Sequence, residues 1–174
     1  MRAMTGPLGS VKALLPPEHG FIIVAGAGAD FLDSPFSAEV PLCSASDDIL
    51  YLWSASDSFH YARVVLESWA AATPDQRQDV DDQQQVTLTF SDGTVHVSGM
   101  LEFQASPILT LGPPGRYHAE VSVTGREELR RIEAQPGHSI PIMDAERFRV
   151  RFWPADSPDG PAVVTPHRPG CPQP

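Results

Sequence analysis

The residue types that could carry out chemistry are few in this chain, and their spacing does not favour it. Asp57, Ser58 and His60 supply the acid, hydroxyl and imidazole of a nucleophilic triad. A triad, however, needs those groups to converge from separate elements onto one reacting atom, and no GxSxG turn presents a serine. A hydrolase centred on Asp57 and His60 therefore has only its residue types in its favour. His118 and Glu120 would share one face of a strand, where a carboxylate could tune an imidazole or both could hold a metal, but no third ligand is spaced nearby. Asp79, Asp81 and Asp82 lack the glycine and distal glutamate of a calcium loop. Cys43 and Cys171 stand far apart and outside any CxxC pair, so no zinc site or redox motif is expected. These residues predict no enzyme, no metal and no cofactor.

Charge placement is more informative. The 174 residues carry a formal net charge of -10. Residues 1–100 hold 13 acidic against four basic side chains, whereas residues 101–174 hold nine against eight. An anionic surface of this kind repels nucleic-acid backbone and anionic membrane, and steers basic proteins instead. The acids lie in loops, and Asp47, Asp48, Asp57, Asp75, Asp79, Asp81 and Asp82 form the candidate contact set for a basic partner. Tyr51, Phe59 and Tyr61 lie among them and could act as apolar anchors, the residue type on which truncation energy concentrates at interfaces. The same aromatics, with Trp53 and Trp69, could alternatively stack a sugar or small ligand, or simply fill a core. Arg147, Arg149 and Arg151 could grip an anion, but a solvated strand face paired with acids such as Glu120 explains them more simply.

The elements that must position these groups repeat with a period of two. Val86, Leu88 and Phe90 alternate with threonines, Ser91–Thr94 contains an Asp-Gly turn, and Val95 and Val97 resume the alternation, which reads as a β-hairpin. Tyr117, Ala119, Val121 and Val123 line one face of a further strand, and Phe148, Val150 and Phe152 line another that Pro154 ends. Residues 20–25, 49–53 and 62–69 are shorter candidates. Helix signals are sparse: Thr73–Gln76 has the form of a helix start, and Glu127–Ala134 reads as one short helix with Leu129 and Ile132 inward. The pattern predicts an all-β fold, an antiparallel β-sandwich of about seven or eight strands with one or two short helices.

Three segments are expected: a flexible N-terminal segment at 1–17, the sandwich domain at 18–154 and a Pro-rich tail at 155–174. Gly6–Ser10 reads GPLGS, the form of a tag-cleavage scar, so residues 1–10 are set aside. The short run Phe21–Ala25 lacks the order of a secretion signal, and a cytoplasmic, reducing location is expected. One Lys against eleven Arg suggests a GC-rich bacterial source.

The opening His19–Val24, the central alternating pair, and above all Pro113, Pro114, Gly115, Arg116 and Tyr117 leading into an alternating strand resemble the layout of the competence-protein J family, small bacterial inhibitors of a DNA-entry nuclease. The likeness spans roughly Glu18–Pro154, and the chain departs from it in its Pro-rich tail and its acidic loops; related bacterial immunity-like sandwiches fit the layout as well. The resemblance implies a non-enzymatic inhibitor or immunity-type protein that blocks a nuclease or toxin domain. It assigns no role to any individual residue.

Overall fold

The computed structural model describes residues 6–30, 42–72, 79–99 and 104–156. They form β1 (Gly9–Leu15), β2 (Phe21–Ala25), β3 (Cys43–Ser46), β4 (Ile49–Trp53), β5 (His60–Ser68), β6 (Asp82–Phe90), β7 (Thr94–Ser98), β8 (Leu109–Thr110), β9 (Gly115–Thr124), α1 (Arg126–Glu133) and β10 (Ile142–Pro154). Two five-stranded sheets face each other, one in the order β1-β5-β10-β9-β6 and the other β3-β4-β2-β7-β8. The all-β sandwich expected from the alternation is therefore the fold, with β1, β3 and β8 as additional strands. Every pairing between named strands is antiparallel except that of β5 with β10 at the centre of the first sheet.

The core follows from parity. Val64 and Leu66 of β5, Ala119, Val121 and Val123 of β9, and Phe148, Val150 and Phe152 of β10 point inward from the first sheet. Ile22, Val24, Leu50, Leu52, Val95 and Val97 meet them from the second. Phe90 packs edge-on against Phe152 with ring centroids 5.7 Å apart. Each such side chain contributes about 1.5–3 kcal/mol by leaving water. In the second sheet Phe21, Ile23, Ala25, Ile49 and Tyr51 are buried on the outer face as well. β2 and β4 thus have both faces covered, which is why FIIVA and ILYLW read as unbroken apolar runs rather than alternations.

Three expectations need correction. First, β6 and β7 do not pair as a hairpin: β6 pairs with β9, and β7 with β2 and β8. The turn between them carries the chain from one sheet to the other, and Leu88, Phe90, Val95 and Val97 enter the same core from opposite sides. Alternation states which residues face the core, not on which side of the core the strand lies. Second, residues 9–15, assigned above to a flexible N-terminal segment, form edge strand β1, paired with β5 from Gly9↔Ser68 to Leu15↔Ala62. Third, the arginine face is not uniformly solvated. Arg147 is exposed, but Arg149 is largely covered and bonded to Glu67, and Arg151 is buried with its Nε 2.9 Å from Glu120 Oε1. The short helix read at Glu127–Ala134 is α1, offset by one residue, with Leu129 buried against Ile142 and Ala145 and Ile132 packed beside them, as expected. Thr73–Gln76 and the tail after Asp156 lie outside the described residues. Among the described residues no helix is long and apolar enough to cross a membrane.

Candidate functional site

Strand direction places the candidate acids at two opposite ends of the sandwich. Asp82 opens β6 beside Val123, and Asp81 and Asp79 precede it; Asp57 lies in the β4–β5 loop, at the same end as α1. Asp47 and Asp48 lie in the β3–β4 turn at the other end, where Asp48 N donates to Thr89 O. Asp48 is buried at φ 61, and its Oδ1 accepts from Ser91 N at 2.7 Å, so it fixes a turn and presents no carboxylate to a partner. Tyr51 is buried too, edge-on to Phe21. Asp75 lies outside the described residues. Of the ten candidate residues, the structure places Asp57, Asp79, Asp81, Asp82, Phe59 and Tyr61 at the α1 end, with Phe59 and Tyr61 at β5 and Asp79, Asp81 and Asp82 three strands away at β6, and leaves exposed Asp47 alone at the far end.

That end is built on a buried polar network. After Trp53 the chain leaves β4 through Ser54, Ala55, Ser56, Asp57 and Ser58, small polar residues whose hydroxyls accept from backbone amides two positions on: Ser56 N donates to Ser54 Oγ at 3.2 Å and Ser58 N to Ser56 Oγ at 3.0 Å. The Ser56 and Ser58 hydroxyls both donate to Glu133 of α1. Beneath the loop sits Glu146, fully buried, which accepts from Ser54 Oγ at 2.7 Å, Ala55 N at 3.0 Å, Arg126 Nε at 3.1 Å and His60 Nε2 at 3.3 Å. Arg126 also donates to the Trp53 carbonyl and lies 3.8 Å from Asp82. Asp81 Oδ2 accepts from Arg126 N at 2.7 Å, capping a helix whose N-cap is Gly125 and has no side chain to do it. Gly125 is needed for another reason: at φ 85 its missing Cβ leaves room for the Ala145 carbonyl, which any side chain would overlap.

The electrostatics of this centre are those of an ion pair. Burial pushes the His60 imidazole down, but the Glu146 hydrogen bond, the Ser58 carbonyl and the Glu146 charge together hold it above its ordinary value. Burial pushes Glu146 up, and its bonds from His60, Ser54 and Ala55 with the Arg126 charge hold it below the usual carboxylate range. This is not the geometry of a triad. His60 Nδ1 donates to the Ser58 carbonyl at 2.8 Å, while the Ser54 hydroxyl and the Glu146 carboxylate both face Nε2 at 3.3 Å. A nucleophile and its orienting acid need opposite ring nitrogens. Ser58 directs its hydroxyl to Glu133, and among the described residues exposed Asp57 makes no hydrogen bond or ion pair to the imidazole, so the sequence neighbours Asp57, Ser58 and His60 do not assemble as the hydrolase reading needs. The network holds the loop, α1 and β10 together.

Above it lies a shallow cleft of about 260 Å³ lined by His19, Gly20, Trp53, Ser54, Ala55, Ser56 and Asp57. Of the aromatics, Trp69 is buried with Arg151 over its ring and Tyr51 is sealed in the second sheet, whereas half-buried Trp53 lines this cleft with its ring edge-on to Phe21. Phe59 is 54% exposed, its ring 5.8 Å from that of half-buried Tyr61. Met143 is paired in register with Tyr61, and both Met143 and Ile140 are exposed, extending an apolar patch.

Ser54, Arg126, Glu133 and Glu146 escaped the sequence reading. Parity would have found the pair at the centre: Glu146 falls in step with Phe148, Val150 and Phe152, and His60 with Ala62, Val64 and Leu66, so each strand points one ionisable group inward at the same end of the core.

No protein-family model and no curated protein matches the chain. Two solved structures share its fold. One is described as crocagin biosynthetic gene J, with a TM-score of 0.52 and 15% identity over 84% of this chain and 97% of that one. The other is ComJ from Bacillus subtilis, described as an inhibitor of the DNA degrading activity of NucA, with a TM-score of 0.52 and 11% identity over 87% of this chain and 99% of that one. The layout resemblance read from His19–Val24 and Pro113–Tyr117 thus holds at the level of fold.

Proposed function

From a fold shared with ComJ, we propose that this chain is a non-enzymatic, inhibitor-type binding protein that covers a basic partner, a nuclease or toxin domain, with its α1 end. The observation that carries this reading is the apolar patch of Phe59, Tyr61, Met143 and Ile140 at the same end as exposed Asp57, Asp79, Asp81 and Asp82. An apolar centre with a charged rim is how specific protein interfaces are built: the anchors hold the complex, and the rim speeds encounter and selects the sign of the partner. Asp81 and Asp82 already answer Arg126 in part, so Asp57 and Asp79 contribute most of the outward field. Cys43, a free buried thiol, accords with a cytoplasmic location.

The test is capture of partners from the native cell with mass spectrometry, followed by association kinetics on the purified pair. Asp57→Asn, Asp79→Asn and Asp82→Asn combined should slow association roughly tenfold at low salt and flatten its salt dependence while leaving dissociation nearly unchanged. Phe59→Ala should instead speed dissociation by more than about tenfold. Recovery of an acidic partner, or an unchanged salt slope in the triple variant, would refute the proposal.

A further inference from the structure

The outer face of the first sheet carries charge of the opposite sign to the chain as a whole. Lys12 of β1, Arg63 of β5, Arg116 of β9, and Arg147, Arg149 and Arg151 of β10 lie on it, against Glu67, Asp144 and Glu120. Six cations meet three carboxylates there, in a protein of net charge -10.

The excess is concentrated at one place. Arg147 stands directly between Arg63 on β5 and Thr124 on β9, and Arg149 directly between Val65 and Ser122. Two like charges opposite each other on neighbouring strands repel. Their shared answer is Asp144, a non-glycine residue at φ 55 in the irregular stretch where the β5–β10 register shifts. Arg63 donates to it through Nε at 2.9 Å and Nη2 at 2.6 Å, and Arg147 through Nε alone at 3.3 Å. One carboxylate therefore serves two guanidiniums, and among the described residues the terminal nitrogens of Arg147 make no hydrogen bond. Arg149 is matched by Glu67 at 2.8 Å. Beside these groups is a cleft of about 150 Å³ lined by Arg63, Arg147, Arg149, Ser122 and Thr124. The Ser122 and Thr124 hydroxyls make no hydrogen bond among the described residues.

We infer that this cleft binds a phosphoryl group. Its volume is about that of five water molecules in the liquid, enough for one tetrahedral oxyanion and too small for a nucleoside. The planar fork of Arg147 engages two oxygens, and the hydroxyls of β9 donate to a third from the opposite side. Donors on two sides suit a tetrahedral anion better than a planar carboxylate. Asp144 acts as the resident competitor, holding Arg63 and Arg147 in place when no anion is bound.

The experiment titrates inorganic phosphate into the full chain by calorimetry at constant ionic strength, with chloride and acetate as controls. One saturable site is expected for phosphate. Arg147→Gln should weaken it roughly tenfold, the loss of one charge-assisted hydrogen-bond pair. Asp144→Asn, which keeps a side chain tolerant of positive φ, should tighten it by a similar factor of about ten by removing the competing charge. The absence of a saturable site, equal binding of acetate, or an affinity unchanged in both variants would overturn the assignment.

Discussion

Glu146 is the group whose removal should be felt most widely, and Glu146→Gln changes its charge with almost no change of shape. The carboxylate receives four donors in a site closed to water, from Ser54, Ala55, Arg126 and His60. An amide keeps one acceptor oxygen, which can still serve Ala55 and Arg126. Its NH₂ then faces His60 Nε2 and the Ser54 hydroxyl, and the latter can rotate to accept. What is lost is the negative charge between two cations. Stranding a buried partner costs about 3–5 kcal/mol, and His60 can soften that by giving up its proton, so a loss of about 3 kcal/mol is expected near pH 7. Urea denaturation measures it as a lower midpoint at unchanged slope. The pH dependence makes the test sharper. With its folded pKa raised, His60 contributes stability that is fully present below its unfolded value of about 6.5 and is lost as pH rises through the folded value. Glu146, with its folded pKa lowered, contributes stability present above about pH 4.5 that is lost as pH falls through its folded value. Wild-type stability should therefore peak between about pH 4.5 and 6.5 and decline on the alkaline side. In Glu146→Gln the hydrogen bond and charge of the carboxylate no longer act on the imidazole, burial is opposed only by the Ser58 carbonyl and the Glu133 charge, and the alkaline decline should flatten. A wild-type profile that is flat between pH 6 and 9, or a variant that keeps the alkaline decline, would refute the ion pair.

Two further outcomes follow from local geometry. Gly125→Ala forces a Cβ into the Ala145 carbonyl at a positive φ, and should cost roughly 3–5 kcal/mol by thermal or urea unfolding, far more than a surface glycine replacement. The Cys43 thiol, buried and pushed up to about 12 first by that burial and then by the Asp82 charge, should react with a disulfide reagent at least about a hundredfold more slowly in the folded protein than in urea. A Cys171→Ser background isolates the signal, and equal rates in both states would contradict the placement of β3 against the core.

Much of the fold was legible because burial on one face writes itself as a period of two. The alternating stretches of β9 and β10 could be read residue by residue, as could the pairing of the arginine face with acids such as Glu120. The sheet to which a strand belongs left no such mark. β6 and β7 look like a hairpin because their parity and turn are those of one, while the choice of neighbour was made by β9 and β2, distant in sequence. β1 alternates Val11, Ala13 and Leu15 against Ser10, Lys12 and Leu14, but the likeness of Gly6–Ser10 to a cleavage scar hid the pattern. At the candidate site, composition located the acids of the β4–β5 loop and the start of β6, whereas the burial of Asp48 and Tyr51 depends on contacts from other elements. Arg126 was unreadable for the same reason: its partners Asp82, Glu146 and the Trp53 carbonyl come from three separate stretches of chain.

β10, the last strand among the described residues, sits in the middle of the first sheet, with β1 and β5 on one side and β9 and β6 on the other. A polypeptide emerging from the ribosome can form each of those pairs early, yet neither has its central neighbour until residue 154 has been made. In that interval Val64 and Leu66 on one half, and Val121 and Val123 on the other, flank open strand edges able to recruit other chains. Truncations that end before Ile142 should therefore yield aggregates rather than a smaller sandwich, and productive assembly waits for the closing segment to zip the two halves together.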